Sequence, residues 1–167
     1  MKTIKILAVF ILTLGLFSLY SCKKDKKIVP TNTISANVDG TATSFNKNVI
    51  ALNASLLGLT VTDIQGVSAA GDTISISLMG TLTAGKTYAA VAGGGSDTEP
   101  SITLTTKTDE FSNNDNSTNN LVSVTINSIS PTSIEGTFTG DLISDNSAGN
   151  NTPAKKSLTG GKFSVAF

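Results

Sequence analysis

Apolar and polar side chains change places with a period of two over most of the 167 residues, the spacing of a strand with one buried face. No segment keeps an apolar stripe at helical spacing. Thr33 to Val38 (TISANV) is followed by Asp39-Gly40 and then TATSF. This is a hairpin signal, because Asp-Gly tolerates the positive φ of a type I′ turn. DTISISLMG puts Ile74, Ile76 and Leu78 on one face and Thr73, Ser75 and Ser77 on the other. The same alternation sets Ile102 and Leu104 inward, then Val122, Val124 and Ile126, then Ile134, Phe138 and Leu142, and finally Phe163, Val165 and Phe167. Weaker alternation marks strands at 49–56, 59–64 and 87–92. Gly136 and Gly140 share the face of Phe138, which suits a strand that bends or is closely crossed. Eight to ten short strands with polar connections predict an all-β domain over 33–167. An antiparallel β-sandwich is expected, with a lipocalin-like β-barrel as the alternative.

The first 32 residues break this pattern. Lys2 and Lys5 precede a predominantly apolar run from Ile6 to Leu19, whose polar residues are Thr13 and Ser18. It has the length of a signal-peptide core and is short for a bilayer span. The run closes on Leu19-Tyr20-Ser21-Cys22, which resembles a bacterial lipobox, with cleavage between Ser21 and Cys22. Cys22 is the lone cysteine of the chain, so it has no intramolecular disulfide partner, and its place after the apolar run selects lipidation. Each buried methylene of an attached chain contributes about 0.8 kcal/mol, so two or three acyl chains anchor stably where one does not. Residues 1–21 are thus expected to be a lipoprotein signal peptide. Residues 22–32, with four lysines and one aspartate directly after the cysteine and then Pro30, are expected to be a flexible tether.

Charge changes the picture of the body. Six of the twelve lysines lie in the leader and tether, so six lysines face eleven acids beyond residue 32, a net charge of −5. There is no arginine for bidentate phosphate recognition, and nucleic acid is not expected as a partner. Histidine, the commonest general base and metal ligand, is absent, and so is tryptophan, the usual platform for sugars. The remaining residues are rich in Ser, Thr, Asn and Gly, the makeup of an exported β domain. No enzyme activity and no cofactor are expected.

One motif argues otherwise. Gly80 to Thr87 (GTLTAGKT) fits the phosphate-binding pattern G-x-x-x-x-G-K-[ST] at every fixed position. That loop requires a following helix whose first amides face the phosphates. Here KTYAAV alternates like a strand and Gly93 to Gly95 end any regular element soon after. Ala84-Gly85-Lys86 therefore reads as a turn between strands, with no nucleotide bound. Metal sites fare no better: Asp115 and Asp145 each stand alone among asparagines, without the ligand spacing of a calcium loop. Asp97, Glu99, Asp109 and Glu110 read as solvated loop acids. The polar segments 110–120 and 144–156 read as the longest connections, and a glycan or protein partner is expected to engage them.

The stretches ISANVDGT, DTISISLMGTLTAGKTY, VSVTINSIS, IEGTFTGDL and LTGGKFSVAF, which together cover most of 33–167, resemble a family of small Bacteroidota outer-membrane lipoproteins of uncharacterised function. The resemblance implies an all-β domain on a lipid tether and designates no functional residue. Lys23-Lys24-Asp25 is similar to the surface-export signal of such lipoproteins, which implies display at the cell surface; retention on a periplasmic leaflet is the alternative. Asp72-Thr73-Ile74 is similar to their three-residue O-glycosylation signal, with Thr73 as the acceptor. Three functions follow as expectations: a non-catalytic binding or structural domain first, a lipocalin-like carrier of a small apolar ligand second, and a carboxylate-dependent hydrolase as a remote third.

Overall fold

A computed structural model describes residues 30–91, 99–113, 121–144 and 154–167. The strands are β1 (Thr33–Val38), β2 (Thr41–Ser44), β3 (Lys47–Leu56), β4 (Leu59–Val67), β5 (Thr73–Met79) and β6 (Thr87–Ala89). They continue with β7 (Ser101–Thr105), β8 (Glu110–Ser112), β9 (Val122–Ser130), β10 (Ser133–Ser144) and β11 (Lys155–Ala166). All pairings are antiparallel, and the all-β expectation holds. The strands form one sheet in the order β2-β1-β11-β10-β8-β7-β5-β4-β3, with β9 also on β10 and β6 on β9. This sheet is strongly curled, an open half-barrel.

Two features produce the curl. β11 runs along one edge of β10, while the other edge changes partner: Ser133 to Gly140 pair with β9, and Ile143 and Ser144 pair with β8. The sheet therefore forks at β10. At the far side, the two ends of the path, β2 and β3, are consecutive in sequence and linked only by Phe45 and Asn46. Phe45 N–H donates to Ile34 O of β1 (2.8 Å), and the Asn46 side chain accepts from Ile34 N–H (3.0 Å). On the other side Phe45 O faces Gly66 of β4, where a Cβ would lie 2.2 Å from it. One short bend thus joins the β1 edge to the β4 edge, the kind of corner by which a strand passes from one layer to another.

The alternation read from the sequence is the alternation of burial. Ile74, Ile76, Leu78, Ile102, Leu104, Val122, Val124, Ile126, Ile134, Phe138, Leu142, Phe163 and Val165 are all buried and belong to one apolar cluster with Ile34, Phe45 and Ile64. Burying a side chain of this size contributes about 1.5–3 kcal/mol, so this cluster is what holds a disulfide-free domain together. Phe167 lies half-buried at its rim, and its N–H donates to Thr132 O. Asp39 and Gly40 both have positive φ (49° and 80°), as the type I′ hairpin requires. Ala84 and Gly85 form the expected turn, and the residues after Lys86 form β6.

Four expectations need correction. Eleven strands stand where eight to ten were read. The additional one is β8, which removes Glu110–Ser112 from the 110–120 connection; it is held on both edges, with Phe111 opposite Leu104 of β7 and Ser112 opposite Ile143 of β10. Glu110 is accordingly a strand residue and not a loop acid. The 144–156 connection is shorter at both ends, because Ser144 closes β10 while Lys155 and Lys156 open β11 opposite Ile143 and Leu142. β6 ends at Ala89, and Ala90 N–H still donates to Val122 O.

Two substitutions test this account. Gly66→Ala places a methyl against Phe45 O and is expected to destabilise the domain by about 1–3 kcal/mol in urea unfolding, the usual range for overpacking. Thr62 is fully buried, and its Oγ1 has no hydrogen-bond partner. Thr62→Val removes that orphan hydroxyl at constant shape and is expected to stabilise by about 1 kcal/mol.

Candidate functional site

The outward residues of the β6-β9-β10-β11-β1-β2 wing are aligned by strand register into cross-strand rows. One row reads Thr87, Thr125, Thr137, Lys162, Ser35 and Ser44, each directly opposite the next. The next row reads Ser128, Glu135, Ser164 and Thr33. Alternation forces this: when Val124, Phe138 and Phe163 point inward, their neighbours must point outward.

Local irregularities hollow this face. In β9, Glu135 is opposite Ser128 and Gly136 opposite Ile126, so Asn127 is an extra residue that leaves the ladder. In β11, Phe138 is opposite Gly161 but Gly140 is opposite Leu158, and β1 skips at the same place. The bulge residue there is Gly160, at φ 59°. Between these bulges lie two shallow depressions of about 430 and about 270 Å³ that share Thr137 and Lys162.

The polar groups of the larger depression are ordered. Glu135 Oε2 accepts from Ser128 Oγ (3.1 Å) and Oε1 from Ser164 Oγ (3.0 Å). At the wing's edge the hydroxyls of Thr87 and Thr125 bond to each other (2.8 Å). Lys162 is exposed, one row from Glu135. Such a surface offers hydroxyls, one carboxylate and one ammonium for hydrogen bonding. Among the described residues no three His, Cys, Asp or Glu side chains come together in a metal-ligating group. Glu135 and Lys162 were not singled out in the sequence, because the register that makes them neighbours is set between strands.

A second polar cluster joins three elements. Lys156 Nζ of β11 pairs with Asp39 Oδ2 in the β1–β2 turn at 2.7 Å and lies 5.7 Å from the Phe111 ring centre of β8. Asp39 Oδ1 accepts from Ser157 N–H (2.9 Å), and Asp39 N–H donates to Ser157 O (2.9 Å). The hydrogen bond from Lys156, and then that from Ser157 N–H, hold the Asp39 carboxyl below the usual aspartate value.

Of the residues singled out in the sequence, Ser21, Cys22, Lys23, Lys24 and Asp25 lie outside the described residues, as do Asp97, Asp115 and Asp145. Thr73 opens β5 on its outward side, half-buried between Val67 and Thr105. Asp109 Oδ2 accepts from Ser144 Oγ (2.7 Å), which ties that acid to the end of β10. Lys86 lies 4.8 Å from the ring centre of Tyr88, beside the turn. Comparison with protein-family models, curated proteins and solved structures found no match to this chain.

The Asp39 cluster makes a pH-dependent prediction. A carboxyl whose pKa is lowered on folding contributes stability that is present above its ordinary value of 3.8 and is lost as pH falls through the lowered value. Asp39→Asn keeps a residue that tolerates the turn and removes the charge. For a pair this exposed, it is expected to cost roughly 0.5–1 kcal/mol near neutral pH. The gap between wild type and variant in denaturant unfolding should close as the pH falls below the ordinary aspartate range.

Proposed function

We propose that this chain is a lipid-anchored envelope lipoprotein whose all-β body serves as a non-catalytic binding or structural module at the outer membrane, displayed on the cell surface. The observation that carries the reading is the run from Lys2 to Lys27: a short basic start, an apolar core, Leu19-Tyr20-Ser21-Cys22, and a lysine-rich leash. Within the all-β class, the fork at β10 and the bend at Phe45-Asn46 support a sandwich whose layers share one core. The strand order, with β11 between β1 and β10, differs from the sequential order of a meandering barrel.

Geometry at the domain's start is in keeping with a tether. Thr31 N–H donates weakly to Ser164 Oγ (3.4 Å), and Asn32 Oδ1 accepts from Ala166 N–H (2.9 Å). The chain is therefore fixed to β11 from Thr31 onward, so a pull on the leash loads a long central strand and not a loop. The polar rows around Glu135 and Lys162, and the connections beyond Ser112 and Ser144, are the surfaces this reading offers to a glycan or protein partner.

The test is metabolic labelling with a palmitate analogue. Wild type is expected to take up label and Cys22→Ala to lose it; equal labelling of the two overturns the reading. Protease treatment of intact cells then separates surface display, with degradation, from retention on a periplasmic leaflet, with protection.

A further inference from the structure

Three strands end the branches of the sheet, and they differ. β2 has four residues and β6 three, lengths that offer little for another strand to pair with. β3 has ten residues and, among the described residues, pairs on one edge only, with β4. After Lys47 at its start it carries no charge and no proline, and no charged residue occurs from Asn48 through the turn to Thr62; Asp63 of β4, opposite Leu52, is the next, and it accepts a hydrogen bond from Ser77 of β5. Its outward side chains are apolar and open: Ile50 is 58% exposed and Leu52 59%, with Met79 and Leu59 beyond them and Leu57 at the turn. On β5 the other outward positions are Thr73, Ser75 and Ser77.

We infer that β3 is a self-association edge, on which two copies of this chain pair β3 against β3, antiparallel, about a two-fold axis at Leu52. The backbone selects a strand as the occupant. A lone edge presents a row of N–H and C=O groups that water satisfies and a second strand can pair in register, whereas a lipid interior offers them no partner. The side chains select a second copy. About an axis at Leu52, that residue meets Leu52 of the second copy and Ile50 meets Ala54 of the second copy, so the apolar row is its own complement. With no charge from Asn48 to Thr62, nothing repels across the axis. The inward side follows suit, with Ala51 opposite Asn53 of the second copy. An edge-to-edge contact of this kind lies at the small end of specific interfaces, below about 1,200 Å², so the dimer is of the weak, concentration-dependent class.

The inference goes beyond the anchoring reading and does not require it. The full chain provides the test, because its lone cysteine is Cys22 and wild type serves as the blank. Leu52→Cys, oxidised mildly in the purified full chain, is expected to give a disulfide-linked species of twice the monomer mass that wild type lacks. Thr103→Cys, on the outward face of the interior strand β7, is expected to give none. In sedimentation of the detergent-solubilised chain, Ile50→Lys with Leu52→Lys is expected to raise the dimer dissociation constant at least tenfold with the strand circular-dichroism signal unchanged. The inference is overturned if Leu52→Cys cross-links no more than Thr103→Cys, or if linked species exceed twice the mass. A chain that stays monomeric yet loses vesicle binding through the two lysines also overturns it, in favour of a lipid surface.

Discussion

The fold depends on a reciprocal contact between β10 and β11. Gly136 stands opposite Phe163, and Phe138 stands opposite Gly161. Each ring lies over the glycine facing it: a Cβ on Gly136 would sit 2.4 Å from Phe163 Cζ, and one on Gly161 would sit 2.6 Å from the Phe138 ring. The two rings then stack, 6.4 Å between centres and 24° between planes. Aromatic side chains covering cross-strand glycines fix register, because a slip of one residue would turn both rings to the outer face. Phenylalanines buried in this way are worth about 3–5 kcal/mol each against alanine. No other strand pair carries so many consequences, since β10 supplies the edge for β9 and for β8, and β11 supplies the edge for β1.

From that spine the two wings follow different rules. The β9-β6 and β1-β2 wing stays regular except at its bulges, so its hydroxyls line up in rows and its depressions lie where Asn127 and Gly160 interrupt the ladder. The β8-β7-β5-β4-β3 wing is tied back to the β1–β11 side at the Phe45-Asn46 bend against Gly66, and β3 also approaches β11. Near that bend β3 still leans on the core through Val49 and Ala51, and beyond Ala51 it stands free. The Asp39–Lys156 pair is a local clip by comparison. It joins the first hairpin to the start of β11, and about 44% of the Asp39 side chain remains in water, which limits what the pair contributes.

The strands legible in the sequence were those with several apolar residues at strict alternation. β5, β7, β9 and β10 bury the side chains that the pattern assigned to their inner faces. β8 was hidden because three residues cannot show a period, and Phe111 alone stands out from an asparagine-rich stretch. The first half of β11 was hidden because KKSLTGG holds one apolar residue, Leu158; its pairing is dictated by β10 and not by its own composition. The rows around Lys162 and Glu135 were invisible for a related reason, since every member sits on a different strand. Asp39 announced a turn but not its lysine, which lies 117 residues away. The leader is the opposite case: its chemistry is local in sequence, so Cys22 could be singled out without any structure.

β3 was marked in the sequence by weaker alternation, which gave it no place in the sheet. VIALNASL carries apolar residues on both faces at Val49, Ile50, Ala51 and Leu52, the pattern of a strand buried on two sides. In the structure it is an edge with one face open. Apart from Met79 at the end of β5, the outward faces of β5 and β7 are serine and threonine, so the apolar outward face of β3 is not the chain's general composition showing through. A domain whose lone cysteine leaves it without an internal disulfide relies on packing, and it gains nothing from leaving isoleucine and leucine in water on an unpaired edge. An apolar row left open beside an edge that is unpaired among the described residues is the arrangement from which pairing of two copies through β3 is inferred. An unpaired edge is a template for another strand, and the apolar row of β3 matches its own copy.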